Sequence, residues 1–115
     1  MSEQDGRKFR EAWIAGVRKH IPGEPKPGYV VPWEETPEWE REAAAITFAL
    51  VREHIAASPG EVDREARGRV VAALWRERMI EQFGDSKPGY TAEWDALPEW
   101  QRRVDADIYD AVEQG

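Results

Sequence analysis

Aromatic rings and fixed cations recur together in two short stretches of this chain. Lys26, Tyr29, Trp33, Trp39 and Arg41 form the first set, and Lys87, Tyr90, Trp94, Trp100 and Arg102 the second. Indole and phenol rings stack on flat ligands, while guanidinium and ammonium groups meet phosphate or carboxylate. These residues are therefore the candidate ligand-binding set, suited to a base or another flat, anionic small molecule. Their expected meeting place is the two loop faces, where Trp33, Trp39, Arg41 and their counterparts converge. A competing reading buries the same tryptophans as core and pairs the arginines with Glu38 or Glu99 nearby. Trp13 and Trp75 lie on helical stripes and read as core.

Other chemistries lack their parts. The chain has no Cys, which removes disulfides, thiolate metal sites and a cysteine nucleophile together. Its serines, Ser2, Ser58 and Ser86, lie outside any GxSxG turn, and no GxGxxG or GxxxxGK[ST] phosphate loop occurs. His20 and His54 lack metal-ligand spacing, and His20 sits where a helix C-terminus favours it. Asp105, Asp107 and Asp110 read as a solvated acidic face, because residues two apart on a helix diverge and no calcium loop surrounds them. The expectation is a protein that is not an enzyme, with no cofactor and no metal.

The elements that position the aromatic sets are written twice. Residues 26–51 match residues 87–112 without a gap at an offset of 61, including KPGY, Trp33/Trp94, Pro37/Pro98, Glu38/Glu99, Trp39/Trp100, Arg41/Arg102 and Val51/Val112. The preceding helices correspond as well, Trp13 to Trp75, with the first copy one residue longer. Each copy reads as helix, irregular loop, helix. Phe9, Trp13 and Val17 make one apolar stripe, with Asp5 as a cap and Gly23 and two prolines as the stop. The second helix opens at TPEWE, with Thr36 as N-cap oxygen and Pro37 in the first turn, and its wide apolar arc marks it as central. Ser58 and Glu61 have capping-box spacing ahead of the third helix, which carries Val62, Ala66, Val70 and Leu74. In the fourth, Leu97 replaces the Thr36 oxygen, and Asp95 is the substitute cap. Pro-Gly in each loop predicts a type II turn, and YVVPW a short extended segment.

A helix pair of this length leaves one face uncovered, so the two copies should pack around a pseudo-twofold axis. The predicted fold is all-α, four helices in a single domain spanning 1–115, with repeat 1 over about 5–57 and repeat 2 over about 58–115. With 41% hydrophobic residues, a chain of 115 can build one core. A net charge of −7, without a Lys/Arg stripe, argues against duplex nucleic acid. No stretch has the length of a signal peptide or a bilayer span, so a cytoplasmic protein without membrane contact is expected. Arg outnumbers Lys 12 to 4, a bias of GC-rich bacterial or phage genomes.

At PWEETPEWEREAA (32–44) and EWDALPEWQRRVD (93–105) the chain resembles the ryanodine-receptor (RyR) repeat domain, particularly its compact prokaryotic and phage forms. Both halves, Phe9 to Ile55 and Val70 to Val112, fit the pattern. Relatives carry His three residues before the first-helix Trp, where this chain has Arg10 and Ala72, so no role of that His transfers. The resemblance implies a non-catalytic helical module. In animals such repeats are cytosolic parts of a calcium-release channel, and bacterial relatives have been suggested to bind nucleotide-derived small molecules, including in phage defence. The expected partner is a nucleotide-like small molecule, with a protein partner or a homodimer as the alternative.

Overall fold

A computed structural model describes residues 3–57, 63–84 and 92–115. Four α-helices account for most of them: α1 (Glu3–His20), α2 (Glu38–Ala57), α3 (Arg64–Phe83) and α4 (Glu99–Gln114). No strand occurs among the described residues, so the chain is all-α as its periodicity predicts. α1 packs along both α2 and α4, α3 packs along α4, and α2 touches α3 more sparingly. The core is filled by Val17, Phe48, Val51, Val71, Val104 and Ile108, with Phe9 and Tyr109 beside them. Each fully buried Phe or Ile of this kind contributes roughly 1.5–3 kcal/mol relative to exposure.

Helix ends follow local chemistry, though not always through the residues expected. α1 begins at Glu3, which places Asp5 inside its first turn, where it pairs with Arg52 of α2 at 3.4 Å instead of capping. Acidic Glu3 and Asp5 at its start and Arg18, Lys19 and His20 at its end suit the helix dipole. Asp63 caps α3, accepting the Ala66 N–H at 2.8 Å, and Gly84 closes the helix with φ +66° while donating its N–H to Ile80 O. The capping box expected of Ser58 and Glu61, and the stripe residue Val62, lie outside the described residues.

The linker between α1 and α2 is two 3₁₀ turns, Pro27–Val30 and Trp33–Glu35, joined by an extended Val31. Among the described residues the positive-φ glycines are Gly23 and Gly84, so Gly28 keeps a negative φ and the type II turn expected of the first loop is replaced by a 3₁₀ turn closed by the Tyr29 N–H on Lys26 O at 2.9 Å, while the turn expected at Pro88 and Gly89 lies outside the described residues. Thr36 does not cap α2. Its hydroxyl donates back to Pro32 O at 2.8 Å, and Pro37 O accepts the first helical N–H groups, from Glu40 and Arg41. The second half repeats this scheme: Trp94–Ala96 is a 3₁₀ turn, Leu97 N–H bonds Trp94 O, and Pro98 starts α4 with no side-chain cap. Asp95 is exposed and faces Arg69 at 3.7 Å, so it is no substitute cap.

Equivalent tryptophans also make equivalent contacts. An added Cβ on Gly6 of α1 would stand 2.8 Å from the Trp33 ring tip, and one on Gly68 of α3 would stand 2.6 Å from the Trp94 ring tip. The guanidinium of Arg41 lies 5.9 Å from the Trp33 ring centroid, and that of Arg102 lies 5.9 Å from that of Trp94. In each half a glycine lets the tip of the indole ride directly on the helix backbone, and an arginine guanidinium lies over the ring.

The acidic face predicted for α4 is an ion-pair seam instead. Asp107 bonds His20 of α1 at 2.7 Å and Arg64 of α3, and Asp110 pairs with Arg64 at 3.0 Å and Arg67 at 2.6 Å. Hydrogen bonds from Arg64 and His20 hold the Asp107 carboxyl below its usual range despite the opposing effect of burial. Asp105, on the opposite side of the helix, is buried.

Candidate functional site

Arg10 of α1 organises one wall. Its side chain is 8% exposed and donates from Nε to Val31 O at 3.0 Å and from Nη2 to Gly28 O at 3.2 Å, while Nη1 stands 3.7 Å from Glu40 of α2. Burial lowers the Arg10 pKa and raises that of Glu40, in each case outweighing the attraction between the two. One turn further on, Trp13 Nε1 donates to Tyr29 O at 2.9 Å. These three bonds satisfy the carbonyls of the 3₁₀ linker and pin it to α1. The rings of Trp13, Tyr29 and Trp100 then meet one another at 5.9–6.3 Å between centroids, and Phe9 stacks on Trp75 of α3 at 5.7 Å.

Between these walls lies a cavity of about 340 Å³. Phe9, Trp13, Tyr29, Trp33 and Trp75 supply its rings, and Val71, Ala44, Leu97 and Ile108 its aliphatic surface. Its lining positions come from both halves in register. At the offsets of 61 and 62 they pair as Phe9/Val71, Arg10/Ala72, Trp13/Trp75, Thr36/Leu97, Glu40/Gln101 and Ala44/Asp105. Exposed Lys26 and partly exposed Arg76 and Gln101 also line it, against the buried Thr36 and Asp105. A volume in the range of small-molecule pockets, aromatic walls and a few convergent polar groups make it the candidate binding site.

Asp105 is the least provided-for group in it. The residue is 7% exposed, and among the described residues no hydrogen bond or ion pair reaches its carboxyl. Burial without a counter-charge pushes its pKa well above the usual carboxylate value.

The predicted binding residues do not gather in one place. Lys26, Tyr29 and Trp33 line the cavity, and Lys26 lies 5.8 Å from the Tyr29 ring centroid. Trp100 joins the ring cluster behind Tyr29. Trp39 is drawn off to Phe83 of α3, edge to face at 5.0 Å, and Arg41, Trp94 and Arg102 serve the indole-on-glycine contacts. The arginines do not pair with Glu38 or Glu99, since Arg41 and Arg102 each keep a buried Nε without a hydrogen-bond partner and Glu99 pairs with Arg103 at 2.6 Å. Lys87 and Tyr90 lie outside the described residues. Trp13 and Trp75, read as core, are half-buried cavity walls packed against it. Arg10, Glu40, Gln101 and Asp105 were not anticipated. The available signal was a break in the repeat: Arg10 matches Ala72, and Asp105 matches the buried Ala44.

Among the described residues no cluster of three His, Cys, Asp or Glu side chains has metal-binding geometry, and no helix is long and apolar enough to cross a membrane. Comparison with protein-family models, with curated proteins and with solved structures finds no match to this chain.

Proposed function

We propose that the protein is a non-enzymatic binding module of the RyR-repeat type that takes a small, flat, anionic molecule, nucleotide-like in its chemistry, into the cavity between its two halves. The observation that carries this reading is the cavity itself, five aromatic rings around about 340 Å³, with exposed Lys26 and partly exposed Arg76, which pairs with Glu93 at 3.8 Å, among its lining. Rings stack a base, and cations meet a phosphate. Matched lining positions from the two copies support a duplicated module related by a pseudo-twofold, with the site at the join. Sequestration of a signalling nucleotide in a bacterial or phage cytoplasm is one concrete form of such a role.

The test is a thermal-shift and tryptophan-fluorescence titration with nucleoside monophosphates, run on the protein and on Ala72→Trp, which fills the cavity from α3. A ligand at a hundred times its Kd stabilises by about 2.7 kcal/mol. The proposal expects such a shift in the parent protein and none in a folded Ala72→Trp. A second reading, a protein-interaction or dimerisation module, is favoured by the groove between α2 and α3. There Ile46, Leu50, Leu74 and Ile80 line a shallow groove together with Glu77, Arg78 and Glu81, and Leu50 is 38% exposed. A nucleotide screen without response, together with a concentration-dependent mass in light scattering, decides for it.

A further inference from the structure

The polar groups of the cavity break the symmetry of its walls. Trp13 and Trp75 are the same residue in both halves, but Arg10 matches an alanine and Asp105 replaces an alanine. Arg10 is already engaged by the carbonyls of Val31 and Gly28 and by Glu40. Asp105 is not engaged. The charged groups lining the cavity with it are Arg10 on α1, Lys26 on the linker, Glu40 on α2 and Arg76 on α3, and none forms an ion pair with it. Burying a carboxyl without a partner costs stability, and a ligand group that supplies the missing hydrogen bonds removes that cost on binding.

We infer that Asp105 is the specificity-determining residue of this cavity, pairing edge-on with a heteroaromatic ring whose hydrogen-bond donor and acceptor stand side by side, as the amino group and ring nitrogen of adenine or cytosine do. This rests on the proposed ligand-binding role. The charge of the lining disfavours an organic cation, because Arg10, Lys26 and Arg76 line the cavity beside the two carboxyls of Glu40 and Asp105, with Glu40 standing 3.7 Å from Arg10 and Arg76 pairing outward with Glu93 at 3.8 Å. Without a cation beside it, Asp105 keeps its proton, a direction that its burial enforces. A neutral carboxyl offers one O–H donor and one carbonyl acceptor on the same edge. The O–H donates to the ring nitrogen, and the carbonyl oxygen accepts from the amino group. The sugar and phosphate then extend toward Lys26 and Arg76.

Calorimetric titration with AMP, CMP and purine riboside 5′-monophosphate, which is AMP without its amino group, tests the assignment. AMP should bind at least about tenfold more tightly than the purine analogue, because a site built around a hydrogen bond rejects the ligand that leaves it unmade. The observed heat should not vary with the ionisation enthalpy of the buffer, since no proton leaves Asp105. Asp105→Asn should keep the preference, its amide presenting a donor and an acceptor in the same place, and Asp105→Ala should abolish it, with thermal melting confirming that both variants fold. Equal affinity of AMP and the analogue for the parent protein overturns the inference and leaves the binding role standing. Loss of the preference in a folded Asp105→Asn overturns it too, as that marks an ionised carboxylate. If neither AMP nor CMP binds the parent protein, the proposed function fails and this inference with it.

Discussion

Replacing Asp105 by Asn should change how stability depends on pH, and the change has a calculable slope. In the folded protein the Asp105 carboxyl is buried without a counter-charge and holds its proton well above the usual range, whereas in the unfolded chain it ionises near the ordinary value of 3.8. Between these two values the unfolded state binds fewer protons than the native state, so unfolding free energy falls as pH rises, by about 1.4 kcal/mol per pH unit. Asn cannot titrate. The stability of Asp105→Asn minus that of the parent protein should therefore grow by about 1.4 kcal/mol per unit from about pH 4 upward, levelling only where the folded carboxyl itself ionises. Asp107 runs the other way, since its depressed pKa gives stability above its unfolded value that is lost as pH falls, but it is present in both proteins and cancels in the difference. Urea unfolding followed by tryptophan fluorescence at half-unit pH steps measures the quantity directly. Parallel stability curves for the two proteins would refute the claim that Asp105 is buried as an unpartnered acid.

Four further outcomes follow from the packing. Gly68→Ala should destabilise by up to about 2 kcal/mol in urea unfolding: the roughly 1 kcal/mol that alanine gains in a helix is outweighed by overpacking of about 1–3 kcal/mol, because the new Cβ meets the Trp94 ring at 2.6 Å and Arg102 O at 3.0 Å. Gly6→Ala should behave alike against Trp33, and stabilisation by either change would contradict the contact. Arg10→Met should cost about 2–4 kcal/mol, since it strips the donors from Val31 O and Gly28 O and leaves Glu40 buried without its cation. Arg41→Ala and Arg102→Ala should each lower stability by about 1–2 kcal/mol, similarly in the two halves, because each guanidinium covers an indole; melting curves unchanged in both would return these arginines to the ligand set.

Much of the fold was readable from the residues, and the site only in part. The Pro-Glu-Trp openings at Pro37 and Pro98 mark the starts of α2 and α4 within a residue, because proline fixes φ where a helix begins and the following stripe repeats every three to four positions. Thr36 misled because its hydroxyl had two acceptable uses, and it donates to the turn carbonyl of Pro32 at 2.8 Å instead of accepting from the helix N–H groups. The Gly6/Trp33 and Gly68/Trp94 contacts join positions more than twenty residues apart, so no local pattern announces them, although the 62-residue offset does align the two glycines. Periodicity assigned Asp105 to a polar surface together with Asp107 and Asp110, yet only those two share a side of α4, meeting at Arg64, while Asp105 turns to the buried side, and its match with the buried Ala44 is what betrays it. Trp39 and Arg41 were placed with Trp33 because they are close in sequence. On a helix their directions diverge, and packing against Phe83 and over Trp33 settled where they went.

Entry of a small ring-bearing ligand between the two halves is read out by the indole N–H resonances of the six tryptophans. On titration with AMP, the signals of Trp13, Trp33 and Trp75, which line the cavity, should shift together and saturate with a single Kd, while those of Trp39 and Trp94 stay in place. Shifts confined to Trp39 and Trp94, or six indole signals indifferent to the nucleotide, would contradict it.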